Sequence, residues 1–127
     1  MIYTITTDTP LETVKEEMLE HAKAEGFGIL GNYEFKKILQ SKGLDLNKEI
    51  TGYEICNPKA AQDVMSEYPE ISVFLPCRIS VYEEGGKTVL STVNINTVMN
   101  GVDVSQEFKE HISSVYAKFV NIMNSWN

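Results

Sequence analysis

Basic residues are scarce in this chain, cysteines are scarcer, and long apolar runs are missing altogether. Eleven Lys and Arg stand against eighteen Asp and Glu, a net charge of -7 over 127 residues. Phosphate backbones demand a basic stripe, and the lysines here are scattered among more numerous acids, so nucleic acid is excluded as the main partner. The same charge disfavours anionic membrane surfaces. No stretch approaches the roughly 18 consecutive apolar residues of a spanning helix. The opening Met1-Ile2-Tyr3-Thr4-Ile5-Thr6 has no basic start and alternates as a strand does. It therefore does not read as a signal peptide, and the expected compartment is the cytoplasm. With only two cysteines in a reducing compartment, free thiols are expected rather than a disulfide.

Chemical signatures are equally sparse. Gly26-Phe27-Gly28 lacks the downstream spacing of a dinucleotide loop. Neither a Gly-x-Ser-x-Gly elbow nor a His-Glu-x-x-His pattern occurs. The two histidines, His21 and His111, and the two cysteines, Cys56 and Cys77, have none of the paired spacing of a zinc site, so no metal is expected. His21 reads as a half-buried surface histidine.

What is present is an ordinary globular pattern, 43% hydrophobic and 23% charged, long enough for one domain over residues 1–127. Residues 2–7 form a first strand. Thr9-Pro10-Leu11-Glu12 starts a helix, with Thr9 as cap, Pro10 at its first position and Glu12 returning to the cap amide. Val14, Met18 and Ala22 make its inward face, and Gly26 ends it with Phe27 closing over the last turn. A second strand at 29–34, a short helix at 35–42 and a third strand at 50–56 follow. On that third strand Thr51, Tyr53 and Ile55 oppose Ile50, Gly52, Glu54 and Cys56, and alternation leaves open which face is core.

Asn57-Pro58 supplies a cap and first position for a helix to about Tyr68, with Ala61, Val64, Met65 and Tyr68 facing inward. A fourth strand is expected over 71–83, interrupted at Pro76, which cannot donate to a ladder and so marks an edge or bulge. Glu83 to Lys87 forms a hairpin loop, 88–95 a fifth strand and 96–102 a loop. From about Val104 to Trp126 a long helix is expected, capped by Asp103 and spanning roughly 34 Å. Its stripe of Val104, Phe108, Ile112, Val115, Phe119, Ile122 and Trp126, widened by Tyr116, Val120 and Met123, reads as core. The order of elements gives an α+β fold with a mixed or mainly antiparallel sheet of about five strands, helices on one face.

Two short segments carry the candidate chemistry. Cys56 precedes a capped helix, where the helix dipole can depress a thiol pKa and make a nucleophile; equally, a strand-end cysteine can be a small buried apolar residue. Cys77 lies on the apolar side of its strand. Glu54 and Arg78 would pair across neighbouring strands, as a surface ion pair or as polar ligand contacts.

Gly52-Tyr53-Glu54-Ile55-Cys56-Asn57-Pro58-Lys59-Ala60-Ala61 and Leu75-Pro76-Cys77-Arg78-Ile79-Ser80-Val81-Tyr82-Glu83 closely resemble the DUF302 family of bacterial and archaeal proteins. The Cys-Asn-Pro and Leu-Pro-Cys motifs stand intact and in order, and residues 10–28 are similar to that family's opening. The resemblance spans about residues 3–100. It implies a two-layer domain of TBP-like architecture with a curved, mainly antiparallel sheet, often dimeric, and it implies no established activity, substrate or cofactor. Cys56, Asn57, Pro58, Pro76 and Cys77 are the positions it marks.

These observations lead to a non-enzymatic domain that binds a small molecule or a partner where the Cys56-Asn57-Pro58 turn meets Leu75-Pro76-Cys77. Glu54 and Arg78 would add polar contacts, and a homodimer would form through strand edges or the Trp126 end. The alternative is thiol-based redox or metal-dependent chemistry at Cys56 with Cys77. The cofactor, if any, is unknown from sequence.

Overall fold

In the computed structural model, which describes residues 1–127, one antiparallel sheet carries the chain. Its strands are β1 (Ile2–Thr7), β2 (Gly28–Glu34), β3 (Ile50–Cys56), β4 (Cys77–Glu84) and β5 (Lys87–Val93). They lie in the order β1-β5-β4-β3-β2, every neighbouring pair antiparallel. The helices are α1 (Leu11–Ala24), α2 (Phe35–Gln40), α3 (Pro58–Glu67), α4 (Ile95–Asn100) and α5 (Gln106–Met123). A 3₁₀ helix, Pro69–Phe74, follows α3. The fold is α+β and ends in the long helix that the apolar stripe predicts.

The α1 stripe behaves as its spacing requires. Val14, Met18 and Ala22 are fully buried, and burying a side chain of methionine size contributes about 2 kcal/mol. At the helix end Gly26 adopts φ +84°, its N–H donates to Lys23 and the Phe27 N–H donates to Ala22. This is a Schellman turn, and it delivers Phe27 into the core. The other end differs from expectation: Leu11 is the first helical residue, and Pro10 holds the cap position without a side-chain cap bond.

Pairing settles which face of β3 is core. Tyr53 and Ile55 lie opposite Ile79 and Cys77 of β4, and they join Val81, Leu90, α1 and the C-terminal half of α5 in the main cluster. Gly52, Glu54, Arg78, Ser80 and Tyr82 share the opposite face, which α1 and α5 leave uncovered. Phe35 of α2 leans on that side, where Gly52 provides the space: a Cβ there would lie 2.9 Å from the Phe35 ring.

A second, smaller cluster lies beside the sheet: Val64 of α3, Ile71 of the 3₁₀ helix, Met99 of α4 and Phe108 of α5. Long α5 therefore belongs to both clusters, Phe119, Ile122 and Met123 to the first and Phe108 to the second.

Four sequence expectations change here. Residues 69–74 are 3₁₀ helix and not strand, so β4 begins at Cys77. Pro69 opens that helix, Ile71 turns inward, and Val73 stays 78% exposed, a distribution that strand alternation cannot produce. The segment 96–102 is mostly helix, because Asn94 caps α4 by accepting the Thr97 N–H. Met65 points outward on α3. The cap of α5 is Ser105 and not Asp103: its hydroxyl accepts the Phe108 N–H at 3.1 Å, and the helix ends at Met123.

Candidate functional site

Strand β3 ends at Cys56 and β4 begins at Cys77, and because the two run antiparallel these termini meet at one end of the sheet, between interior strands. Ile55 and Cys77 are direct partners across the pair, which puts Cys56 one residue beyond that contact. Asn57 leaves the strand in extended backbone, and its side-chain oxygen accepts the Ala60 N–H at 3.1 Å. Pro58 fills the first helical position, where no amide donor is needed. The chain travels through α3 and the 3₁₀ helix, then returns through a cis Leu75-Pro76 bond. The two motifs are thus the exit from the sheet and the re-entry to it.

Between them lies an apolar cavity of about 70 Å³. Sixteen of its 18 lining residues are hydrophobic. Cys56, Asn57, Leu75, Pro76 and Cys77 form the motif side; Ala61 and Val64 of α3, Met99 of α4 and Val115, Tyr116 and Phe119 of α5 close the rest. The cavity sits at the seam of the two hydrophobic clusters, with Ile55, Phe27 and Phe119 from one and Val64, Ile71 and Met99 from the other. A wider cavity, about 280 Å³, adjoins it and shares the Phe74–Cys77 wall with Ile95, Tyr116 and Phe119. Arg78, Thr92, Val73 and Val93 complete its lining.

Of the residues singled out from sequence, the structure gathers Cys56, Asn57, Pro76 and Cys77 around the smaller cavity. Pro58 serves the helix start and does not line it. Glu54 lies apart, on the uncovered face of the sheet, together with Tyr33 and the side chain of Arg78. The Tyr33 hydroxyl donates to Glu54, and the Arg78 guanidinium donates to the same carboxylate at 3.5 Å. The hydrogen bond to Glu54 raises the Tyr33 pKa above its usual value. Glu54 has room because residue 31 is glycine; a Cβ there would lie 2.9 Å from the carboxylate.

The family model described as "Domain of unknown function DUF302" matches residues 3–126. The chain belongs to the DUF302 family. Among solved structures it is similar to the "uncharacterized conserved protein DUF302 from Bacillus stearothermophilus", at 28% identity and a TM-score of 0.90. That match covers 99% of this chain and 98% of the other. No curated protein matches.

The electrostatics of this DUF302 site bear on its thiols. Burial pushes the Cys77 pKa up to about 11, and the neighbouring Cys56 adds to the rise. Burial raises Cys56 as well, the reverse of the depression that a helix N-terminus can produce. Both cysteines are free. No group of three or more His, Cys, Asp or Glu side chains assembles into a set of metal ligands. His21 packs its ring 4.4 Å from that of Trp126, whose indole N–H donates to Glu17, so the Trp126 end is engaged with α1.

The residue that the motifs do not announce is Tyr116. Its hydroxyl is buried with no hydrogen-bond partner, and its ring lines both cavities. Burial, with Tyr3 and Cys77 as lesser causes, raises its pKa. The available signal was its place in the α5 stripe, where a hydroxyl interrupts aliphatic and phenylalanine positions.

Proposed function

We propose that this DUF302 domain binds a small, largely apolar molecule in the cavity between the Cys56-Asn57-Pro58 and Leu75-Pro76-Cys77 segments. The observation that carries this reading is the cavity itself. A gap of about 70 Å³ is on the order of five water-sized spheres, and a wall of 16 hydrophobic residues among 18 gives such waters few partners. An apolar guest would gain dispersion contacts with this close-packed lining. The site belongs to a single domain in this reading, and the function is binding rather than catalysis. Thiol chemistry at Cys56 and Cys77 carries less weight because burial stabilises the protonated thiols, whereas a nucleophile or metal ligand needs the thiolate.

Methyl-resolved NMR with benzene as probe tests the reading. Shifts are expected in the methyl groups of Val64, Ile71, Leu75 and Val115, and they should vanish in Ala61→Leu, which fills the cavity from α3. Unchanged spectra at millimolar benzene, or shifts of equal size on remote methyls such as Val14, would refute it.

A further inference from the structure

We propose that the uncovered face of the sheet is a docking surface for a second copy of this chain, the two copies packing sheet on sheet. Sequence alone points to strand edges or the Trp126 end for such a contact, but the Trp126 end is engaged with α1. Register fixes what the uncovered face presents. Thr4, Ser91, Ser80, Gly52 and Tyr33 form one row across all five strands, and the Thr4 and Ser91 hydroxyls bond each other at 3.0 Å. At the next outward positions Ile2 lies opposite Val93 and Arg78 opposite Glu54. Apolar surface flanks the row of short side chains. Ile2 and Val93 on one side are 72% and 49% exposed, and Tyr33 and Phe35 on the other are 39% and 38% exposed, their rings stacked at 6.3 Å. Exposed aromatic and aliphatic groups around a centre with few charges mark the core of a protein–protein interface.

Charge and size name the occupant. At a net charge of -7, two copies repel over most of their surface. The uncovered face is balanced instead: Arg78 pairs with Glu54, and towards the β4–β5 hairpin Lys48 lies over the Tyr82 ring and pairs with Glu84. A face that holds acid and base in equal number is complementary to itself, as a two-fold interface has to be. Arg78 meets Glu54 through one nitrogen at 3.5 Å and keeps its side chain 68% exposed, so its other N–H groups can reach an acceptor on the second copy. Five strands about 4.8 Å apart, each of about seven residues at about 3.4 Å, give a face of roughly 500–600 Å² in plan. Side-chain relief raises the accessible area above that figure, into the range of roughly 600–1,000 Å² per partner that specific interfaces bury.

Sedimentation velocity of the full chain, from micromolar to submillimolar concentration, tests the proposal. Wild type is expected to form a dimer. Ser80→Glu sets a carboxylate from each copy into the interface and should weaken the dimer roughly a hundredfold or more, the scale of like charges brought together out of water. Thr4→Glu should act in the same direction. Leu30→Lys, on the edge strand β2 where Leu30 is 67% exposed, should leave the dimer as it is. Circular dichroism and the thermal midpoint check that each variant is folded. Dilution of wild type gives a reading free of substitutions: the amide signals of Thr4, Ser80 and Ser91 should shift with concentration by NMR, and that of Leu30 should not. A monomer throughout, or a dimer that survives both glutamates, overturns the proposal. So does a dimer lost in Leu30→Lys and kept in Ser80→Glu, or concentration-dependent shifts confined to β1 and β2, since either assigns the contact to a strand edge.

Discussion

Replacing Asn57 by alanine isolates the structural share of the Cys-Asn-Pro motif. The Asn57 oxygen accepts the Ala60 N–H at 3.1 Å and satisfies one of the amides that every helix leaves unpaired at its start. Losing such a cap costs about 1 kcal/mol, within a range of roughly 0.5–2. For a chain of 127 residues the unfolding entropy is about 270 cal/mol/K, so Asn57→Ala should lower the thermal midpoint by roughly 4 °C. Asn57→Asp keeps the acceptor and adds a charge that the helix dipole favours, so it should retain wild-type stability near neutral pH. Both variants are compared by circular dichroism on heating and by urea titration. Should Asn57→Ala match wild type within 0.3 kcal/mol, or Asn57→Asp fall as far as Asn57→Ala, the capping account is wrong and the motif's asparagine acts elsewhere.

Two further predictions concern the sheet. Cys77 keeps its proton in the folded chain to about pH 11, whereas in the unfolded chain its thiol ionises near its ordinary value of 9.0. Between these values the unfolded state holds fewer protons, so stability falls as pH rises, by at most about 2–3 kcal/mol from this group. Tyr53, raised by burial to about 12, extends the loss to higher pH. Urea midpoints measured from pH 8 to 11 should fall in wild type and flatten in Cys77→Ala; an equal slope in both would refute the assignment. On the uncovered face, Gly52→Ala places a Cβ 2.9 Å from the Phe35 ring, an overpacking cost of roughly 1–2 kcal/mol set against the better strand propensity of alanine. In a Phe35→Ala background the same change should stabilise by about 0.5–1 kcal/mol, and a double-mutant cycle without that reversal would count against the contact.

Local rules made much of this fold legible. The α1 face and its Gly26 terminator, the β3 boundaries and the Asn57 cap follow from spacing and residue type, and the structure repeats them. Residues 69–76 do not obey the same reading. Ile71, Val73 and Leu75 alternate like a strand, but Pro69 initiates 3₁₀ helix: Ile71 enters the core built by α3, α4 and α5, Leu75 packs against its margin, and Val73 stays exposed. That core is tertiary and has no local signature. The same holds for the site: Cys56 and Cys77 announce themselves by motif, whereas Ala61 of α3, Met99 of α4 and Tyr116 of α5 reach the cavity only through the tertiary packing of those helices. Glu54 and Arg78 were read as neighbours, and the register makes them so, but the sheet's pleat sends their side chains away from Cys77.

The position of the two motifs explains why a fold role and a binding role are hard to separate by sequence. Cys56-Asn57-Pro58 ends one central strand and Leu75-Pro76-Cys77 begins its neighbour, so together they release the α3 excursion from the sheet. That excursion builds a second hydrophobic cluster which the sheet cannot absorb, and the imperfect seam between the clusters is the cavity. Residues that make the turn necessarily border the gap. A substitution that unfolds the turn therefore removes the site as well, and loss of binding in Cys77 or Pro76 variants would not by itself distinguish the two roles. Ala61 and Tyr116 line the gap but take no part in releasing the excursion. If filling or re-polarising the cavity from those positions changes binding while the thermal midpoint holds, the seam is a site in its own right. If binding moves only when the midpoint does, the motifs serve the fold.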